Sequence, residues 1–281
     1  MLYGSNLSMV AAFLVGMGFM RIAMKLLLVL MLLSTVSHAT VELPSSYKEL
    51  LDFVQPAPFQ AETNTCLFIA STGAMELLMN KRDGLKNPQV NGKNDLSESF
   101  LIWQKNFYDN RYPVYHFIQQ PVMNFNYGEA ILNRDWPFVG ENSDGTTNYT
   151  VWNKHPEYYT LPRVKTPLVK TTHLFTRGKK WATRVILPED ITTIKQALVK
   201  NHAPVIINYV DDGYWHVVLI VGYDDNEEGE CYLVEDPTEC DPKGIFYVRD
   251  SFGRTYADRW DTRAYSWFKV TANAASQIQL Q

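Results

Sequence analysis

The chain has 281 residues, 46% of them apolar and 20% charged, with 26 lysines and arginines against 30 aspartates and glutamates. That composition supports one large globular domain or two small lobes. A net charge of −4 with no basic stripe argues against a nucleic-acid partner, and the paired lysines in TRGKKWATR (176–184) read as a solvated loop.

The first 39 residues are a different material. Residues 24–39, MKLLLVLMLLSTVSHA, carry Lys25, an apolar run from Leu26 to Val36 and small Ala39, the pattern of a secretory signal peptide cleaved after Ala39. The apolar run is about half of the ~20 residues a bilayer span needs. Met24 is a better initiator than Met1, so residues 1–23 read as an extension ahead of a complete signal. One domain is expected over 40–281, secreted or periplasmic, with no stable membrane anchor after cleavage.

SSYKELLDFV (45–54) reads as a short amphipathic helix and QPAPFQAETNT (55–65) as a loop. From Cys66 to Asn80 apolar residues occupy every face, which predicts a buried helix with Cys66 in its first turn. A second helix is expected over 93–110, capped by Asn94 or Ser97. Residues 110–180 show weak periodicity and read as loops and short strands. PEDITTIKQALVKN (188–201) reads as a helix with Asp190 or Thr192 as cap. Strands follow at 203–210, 214–225, 231–237, 244–253 and 265–270, the second apolar enough to be buried on both faces. Helices first and strands later indicate an α+β fold.

Export permits disulfides. Of the three cysteines, Cys231 and Cys240 lie close enough to pair across a turn, which leaves Cys66 over. A free thiol has a pKa near ~8.5, and a helix N-terminus favours its thiolate. Attack on a carbonyl further requires a base, an acceptor to orient that base, and donors for the oxyanion. His216 lies inside the apolar strand WHVVLIV, where an imidazole needs partners. Asp250 in VRDSFG closes another strand and can hold the second ring nitrogen. Gln60 can donate an amide N–H, and the Cys66 backbone N–H can be the second oxyanion donor. The remaining histidines, among them His116, His155, His173 and His202, show no ligand spacing, so neither a metal nor another cofactor is expected.

At these residues the chain resembles the papain-like cysteine peptidases. Gln60, five residues, Cys66 and then LFIASTGAME follow the family's nucleophile segment, with Thr72-Gly73-Ala74-Met75-Glu76 in register. Leu96-Ser97-Glu98 and Leu101 resemble its second helix start. His216, Val218, Leu219, Val221, Gly222 and Tyr223 resemble its histidine strand. FYVRDSFG resembles its W-I-V-K-N-S-W-G, with Asp250 in place of Asn and Phe252 in place of Trp. The resemblance implies a papain-like two-lobed fold, with a helical lobe carrying the cysteine and an antiparallel sheet or barrel lobe carrying the histidine. It implies hydrolysis of peptide bonds in a polypeptide substrate, with Cys66 as nucleophile, His216 as partner and general acid, Asp250 orienting His216, and Gln60 in the oxyanion hole. Gly128 is the candidate for one half of the glycine pair that lines the substrate cleft.

The departures carry expectations of their own. Thr63 replaces the family's partner cysteine, and Leu67 stands where Trp follows the nucleophile. Too few residues separate Ala39 from Gln60 for the usual propeptide, so control by a separate protein inhibitor, by compartment or by very narrow specificity is expected rather than zymogen cleavage. Asp236 in LVEDP, 20 residues after His216, resembles the H…D-P pattern of the bacteriocin-leader peptidases and rivals Asp250 as the orienting residue. Two further functions remain open: an acyl transferase or amidase of the transglutaminase kind on the same dyad, and a binding protein that kept the scaffold without turnover.

Overall fold

The computed structural model describes residues 42–108, 128–153, 155–176, 186–211, 214–229, 241–252, 259–269 and 272–280. The signal region, Cys231, Asp236, Cys240 and the expected strand at 231–237 lie outside the described residues. Leu43–Gln281 forms one compact unit.

Its centre is helix α1 (Cys66–Arg82), buried continuously from Cys66 to Asn80. Such a helix has no solvent face and must be enclosed. The lid on one side is α2 (Glu98–Tyr108), whose first turn is capped by Ser97: its Oγ accepts from Phe100 N–H at 3.0 Å. On the other side α1 packs against a seven-stranded sheet. The sheet comprises β1 (Ser46–Tyr47), β4 (Val169–Thr176), β5 (Val205–Asp211), β6 (Tyr214–Glu228), β7 (Lys243–Arg249), β8 (Asp261–Ala264) and β9 (Ala272–Leu280), while β2 (Glu129–Ala130) and β3 (Val164–Lys165) pair separately. Every pairing is antiparallel, in the order β4-β9-β5-β6-β7-β8, with β1 on the far part of β6. Helix α3 (Pro188–Asn201) packs on the same sheet. This is the α+β arrangement expected, a helical part and a sheet part around one core.

Several local expectations are corrected. Residues 45–54 do not form a helix: Ser46 and Tyr47 pair with Asp224 and Tyr223, and only Leu51–Phe53 turn as a 3-10 helix. A segment this short has little helical stability of its own, so the free edge of long β6 captures it. In α3, Asp190 lies inside the first turn and accepts from Leu187 N–H at 3.0 Å, while the Thr192 hydroxyl donates to Pro188 O; neither is the N-cap residue. Of the strand expected at 265–270, the described residues Tyr265–Lys269 form a 3-10 helix instead. The Tyr265 hydroxyl is drawn to Asp225 and that of Ser266 to Asp241 O, both at 2.6 Å, in different directions. The true last strand, β9, is central and was not expected. Ala274, Ala275 and Ser276 have low strand preference, yet they are buried and pair with β4 on one side and β5 on the other.

Two glycines are fixed by close approach. A Cβ on Gly73 would lie 2.2 Å from Nη1 of Arg249, whose guanidinium crosses α1 at that point. A Cβ on Gly140 would lie 2.3 Å from Phe59 O, where the 140s loop presses on the segment before the cysteine. No described helix is long and apolar enough to cross a membrane.

Candidate active site

Cys66 opens α1, where the first backbone N–H groups have no intrahelical partner. It is the free cysteine among the described residues. The preceding chain is tightly wound: Ala61 and Asn64 both have positive φ, 48° and 58°. Ala61 has no polar side chain to favour that conformation, so surrounding contacts must hold it. They are present on both sides. Gln60 N–H donates to Ser251 O at 2.9 Å and the Ser251 hydroxyl donates to Gln60 Oε1 at 2.6 Å. The Thr63 hydroxyl donates to Gln60 O at 2.6 Å. With Oε1 accepting from Ser251, the amide N–H group is the donor end of buried Gln60.

His216 is brought in by β6 and faces Tyr209 of β5 in register. Its Nε2 lies 2.8 Å from Asp250 Oδ1, both side chains being almost fully buried. The Cys66 side chain lies near enough to the ring to raise its pKa, and with Nε2 on Asp250 the nitrogen left for the sulfur is Nδ1. Burial would push the imidazolium down, but the charge of Asp250, its hydrogen bond and the nearby Cys66 side chain outweigh it, and the pKa is raised from 6.5 to about 10. Asp250 follows the last residue of β7. Burial favours its neutral form, yet the charge and hydrogen bond of His216, the Arg263 guanidinium and the Phe252 N–H at 3.0 Å hold it well below the usual carboxylate range. Arg263 Nη2 donates to Asp250 Oδ2, and its Nη1 donates to the Tyr209 hydroxyl at 2.9 Å. The Phe252 ring stacks on the imidazole at 4.6 Å and Tyr209 meets it edge-on at 5.6 Å. Together they wall the polar pair from water.

The last residue of β7 ties this group to the cysteine helix. Arg249 reaches Glu76 of α1 at 3.3 Å and donates to Ile69 O at 2.8 Å and Gln55 O at 2.7 Å. Asp95 and Glu98 stand close by. Burial, against the attraction of Arg249, raises Glu76 well above the carboxylate range, and burial with the charge of Asp95 raises Glu98 to about 8. One guanidinium therefore faces several carboxyl groups whose burial favours the protonated form.

The structure thus brings Gln60 and Cys66, from one stretch of chain, together with His216 of β6 and Asp250 after β7. Gly128 adopts the positive φ expected of a turn glycine, 69°, and its carbonyl accepts from Thr166 N–H at 3.0 Å; no described hydrogen bond links it to the other four. Asp236 lies outside the described residues. Arg263, Ser251, Tyr209 and the Arg249–Glu76 pair were not singled out from the sequence. A signal existed for the last: an acid inside an otherwise apolar helix demands a buried cation, and Arg249 is the cation that ends the apolar run GIFYV, directly before Asp250. Arg263 offered no such signal, since its local sequence is ordinary.

No protein-family sequence profile and no curated protein sequence matches the chain. Solved structures do. Clostridial cysteine protease Cwp84 after propeptide cleavage is similar at TM-score 0.51 and 17% identity over 85% of this chain. The cysteine protease and lectin-like domains of Cwp84, a surface-layer-associated protein of Clostridium difficile, give 0.51 and 16% over 86%. The chain spans 59% and 53% of those two chains. The bromelain protease from Ananas comosus in complex with the E64 inhibitor gives 0.50 and 12%, over 85% of this chain and 100% of that one. With a buried helix opening on Cys66 and set against an antiparallel sheet that carries His216, the chain has the papain-like fold.

Proposed function

We propose that the protein is an exported cysteine peptidase that hydrolyses peptide bonds through an acyl-thioester. The observation that carries this reading is His216 shared between Cys66 and ionised Asp250 in a buried setting, with Gln60 clipped beside them. A histidine that Asp250 holds in its protonated form is the counter-ion that a thiolate nucleophile requires. The sulfur attacks the substrate carbonyl carbon, and the developing oxyanion accepts from the Gln60 amide and the Cys66 backbone N–H. Collapse expels the amine, which takes the imidazolium proton from Nδ1. Water, deprotonated by the now neutral imidazole, then attacks the thioester and releases the acid and the thiolate. Nucleophile, acid and oxyanion donors are all protein groups, so the chemistry needs no metal. The signal-like residues 24–39 support export, and a polypeptide is the substrate class.

The test is alkylation by iodoacetamide at pH 6, with the label mapped. Labelling of Cys66 much faster than that of a free peptide thiol, lost in His216→Ala, is expected. Cleavage of a denatured-protein peptide library by the mature wild type, absent in Cys66→Ala, completes it. Labelling at the free-thiol rate would replace the peptidase reading with a binding scaffold; alkylation at the fast rate with amide transfer products would replace hydrolysis with acyl transfer.

A further inference from the structure

A cleft of about 600 Å³ adjoins the site, between the segment around Gln60 and the loop at 141–149. Its walls include Phe59, Tyr149 and Phe252, and its rim carries Glu62 and Glu141. Which side of the scissile bond it serves is set by the proposed chemistry. The acyl part stays on Cys66, whereas the leaving amine must face His216. Phe252 stacks on that imidazole at 4.6 Å, so a cleft that has Phe252 as a wall lies on the leaving-group side.

The lining is aromatic and acidic. Phe252 is 44% exposed and Tyr149 62%, two of the three exposed aromatic side chains among the described residues. Both face this cleft, an arrangement that offers ring faces to a ligand rather than scattered apolar surface. Glu62 and Glu141 are exposed, and among the described residues neither makes an ion pair and no lysine or arginine lines the cleft. Ring faces and unpaired carboxylates share one complement, an alkyl stem ending in a cation.

The wall is also built to hold its place. Asn142 N–H donates to Thr146 O at 2.8 Å, Asp144 accepts from Thr146 N–H at 3.0 Å, and the Asn148 amide donates to Val139 O at 2.8 Å. Gly140, lacking a side chain, lets this loop sit directly on Phe59 and Gln60. The loop is thereby indexed to the same segment that supplies the oxyanion donor.

We propose that this cleft is a leaving-group subsite selecting polypeptides with a lysine or arginine in the first residues after the scissile bond, read by Glu62 and Glu141 against Phe252 and Tyr149. The inference rests on the cysteine-peptidase reading for its orientation, and its test is chosen to separate the two. The Cys66→Ala protein is titrated with fluorescent peptides that differ at one leaving-group-side position: Lys, Arg, Gln or Glu. Lys and Arg peptides should bind about tenfold tighter than Gln, with Glu weakest, and Glu62→Gln/Glu141→Gln should reduce that preference to under about threefold. Raising the salt should erode it in the same direction. With active enzyme, kcat/KM on the same peptides should follow the same order. Binding blind to charge, or a preference untouched by the double substitution, overturns the subsite. Cation-selective binding that depends on both glutamates, without cleavage by the wild type, upholds the cleft and sinks the peptidase reading instead.

Discussion

Asp250 stands where an amide would suffice to orient an imidazole, and its charge is balanced by Arg263 rather than by solvent. Replacing Asp250 with Asn keeps the shape and removes the charge. The rise of His216 from 6.5 to about 10 corresponds to ~5 kcal/mol of preference for the imidazolium, at about 1.4 kcal/mol per unit. After burial, which opposes it, the leading contributions to that rise come from the charge and hydrogen bond of Asp250. In Asp250→Asn the alkaline limb of kcat/KM, expected near pH 10 in the wild type, should therefore fall by about two units or more. Nitrogen NMR of the histidine ring checks the same titration without turnover. The substitution also leaves the Arg263 guanidinium facing an amide, and unpairing a buried charge costs ~3–5 kcal/mol, here toward the low end because Arg263 keeps a second bond to Tyr209. Asp250→Asn/Arg263→Met should thus unfold later than Asp250→Asn alone, a non-additivity that thermal denaturation reads directly. The two shifts act on stability at opposite ends of the pH range. The raised His216 contributes fully below its unfolded value of 6.5 and is lost as pH climbs through about 10; the depressed Asp250 contributes above 3.8 and is lost as pH falls through its native value. An alkaline limb in Asp250→Asn within half a unit of the wild type would refute the reasoning.

The approach of Arg249 to Gly73 sets a second expectation. Gly73→Ala puts a methyl 2.2 Å from the guanidinium, and displacing that group from Glu76 and Ile69 O should cost ~3–5 kcal/mol, read as a lower denaturant midpoint; a loss under about 1 kcal/mol would mean the arginine is free to move. Ser251→Ala removes the hydroxyl that fixes the Gln60 amide and should lower kcat about tenfold with little change in KM, less than the ~100-fold or more of deleting an oxyanion donor outright. An equal loss in Gln60→Ala and Gln60→Ala/Ser251→Ala would confirm that the serine acts through the glutamine.

Cys66 at the head of a buried helix was legible because both signals are local: apolar residues at every helical phase, and one oxidisable side chain at the first turn. His216 was legible as a lone imidazole within an apolar strand; the cap of the second helix was legible only as Asn94 or Ser97, and the structure gives it to Ser97, with the helix starting at Glu98. β9 was not, because Ala, Ser and Gln carry no strand preference until two neighbouring strands close around them. The segment at 45–54 was not legible either, because its fate depends on the edge of β6, about 180 residues further on. The same division runs through the site. Sequence alone determined which groups the chemistry could use, since reactivity belongs to residue types and to the turn of chain they sit in. Only the tertiary structure decided that Arg263 balances Asp250, that Ser251 fixes Gln60 and that Arg249 locks the strand to the cysteine helix. Those contacts depend on sheet register and loop closure between distant segments, and Coulomb and hydrogen-bond forces act over a few ångströms that sequence spacing does not encode.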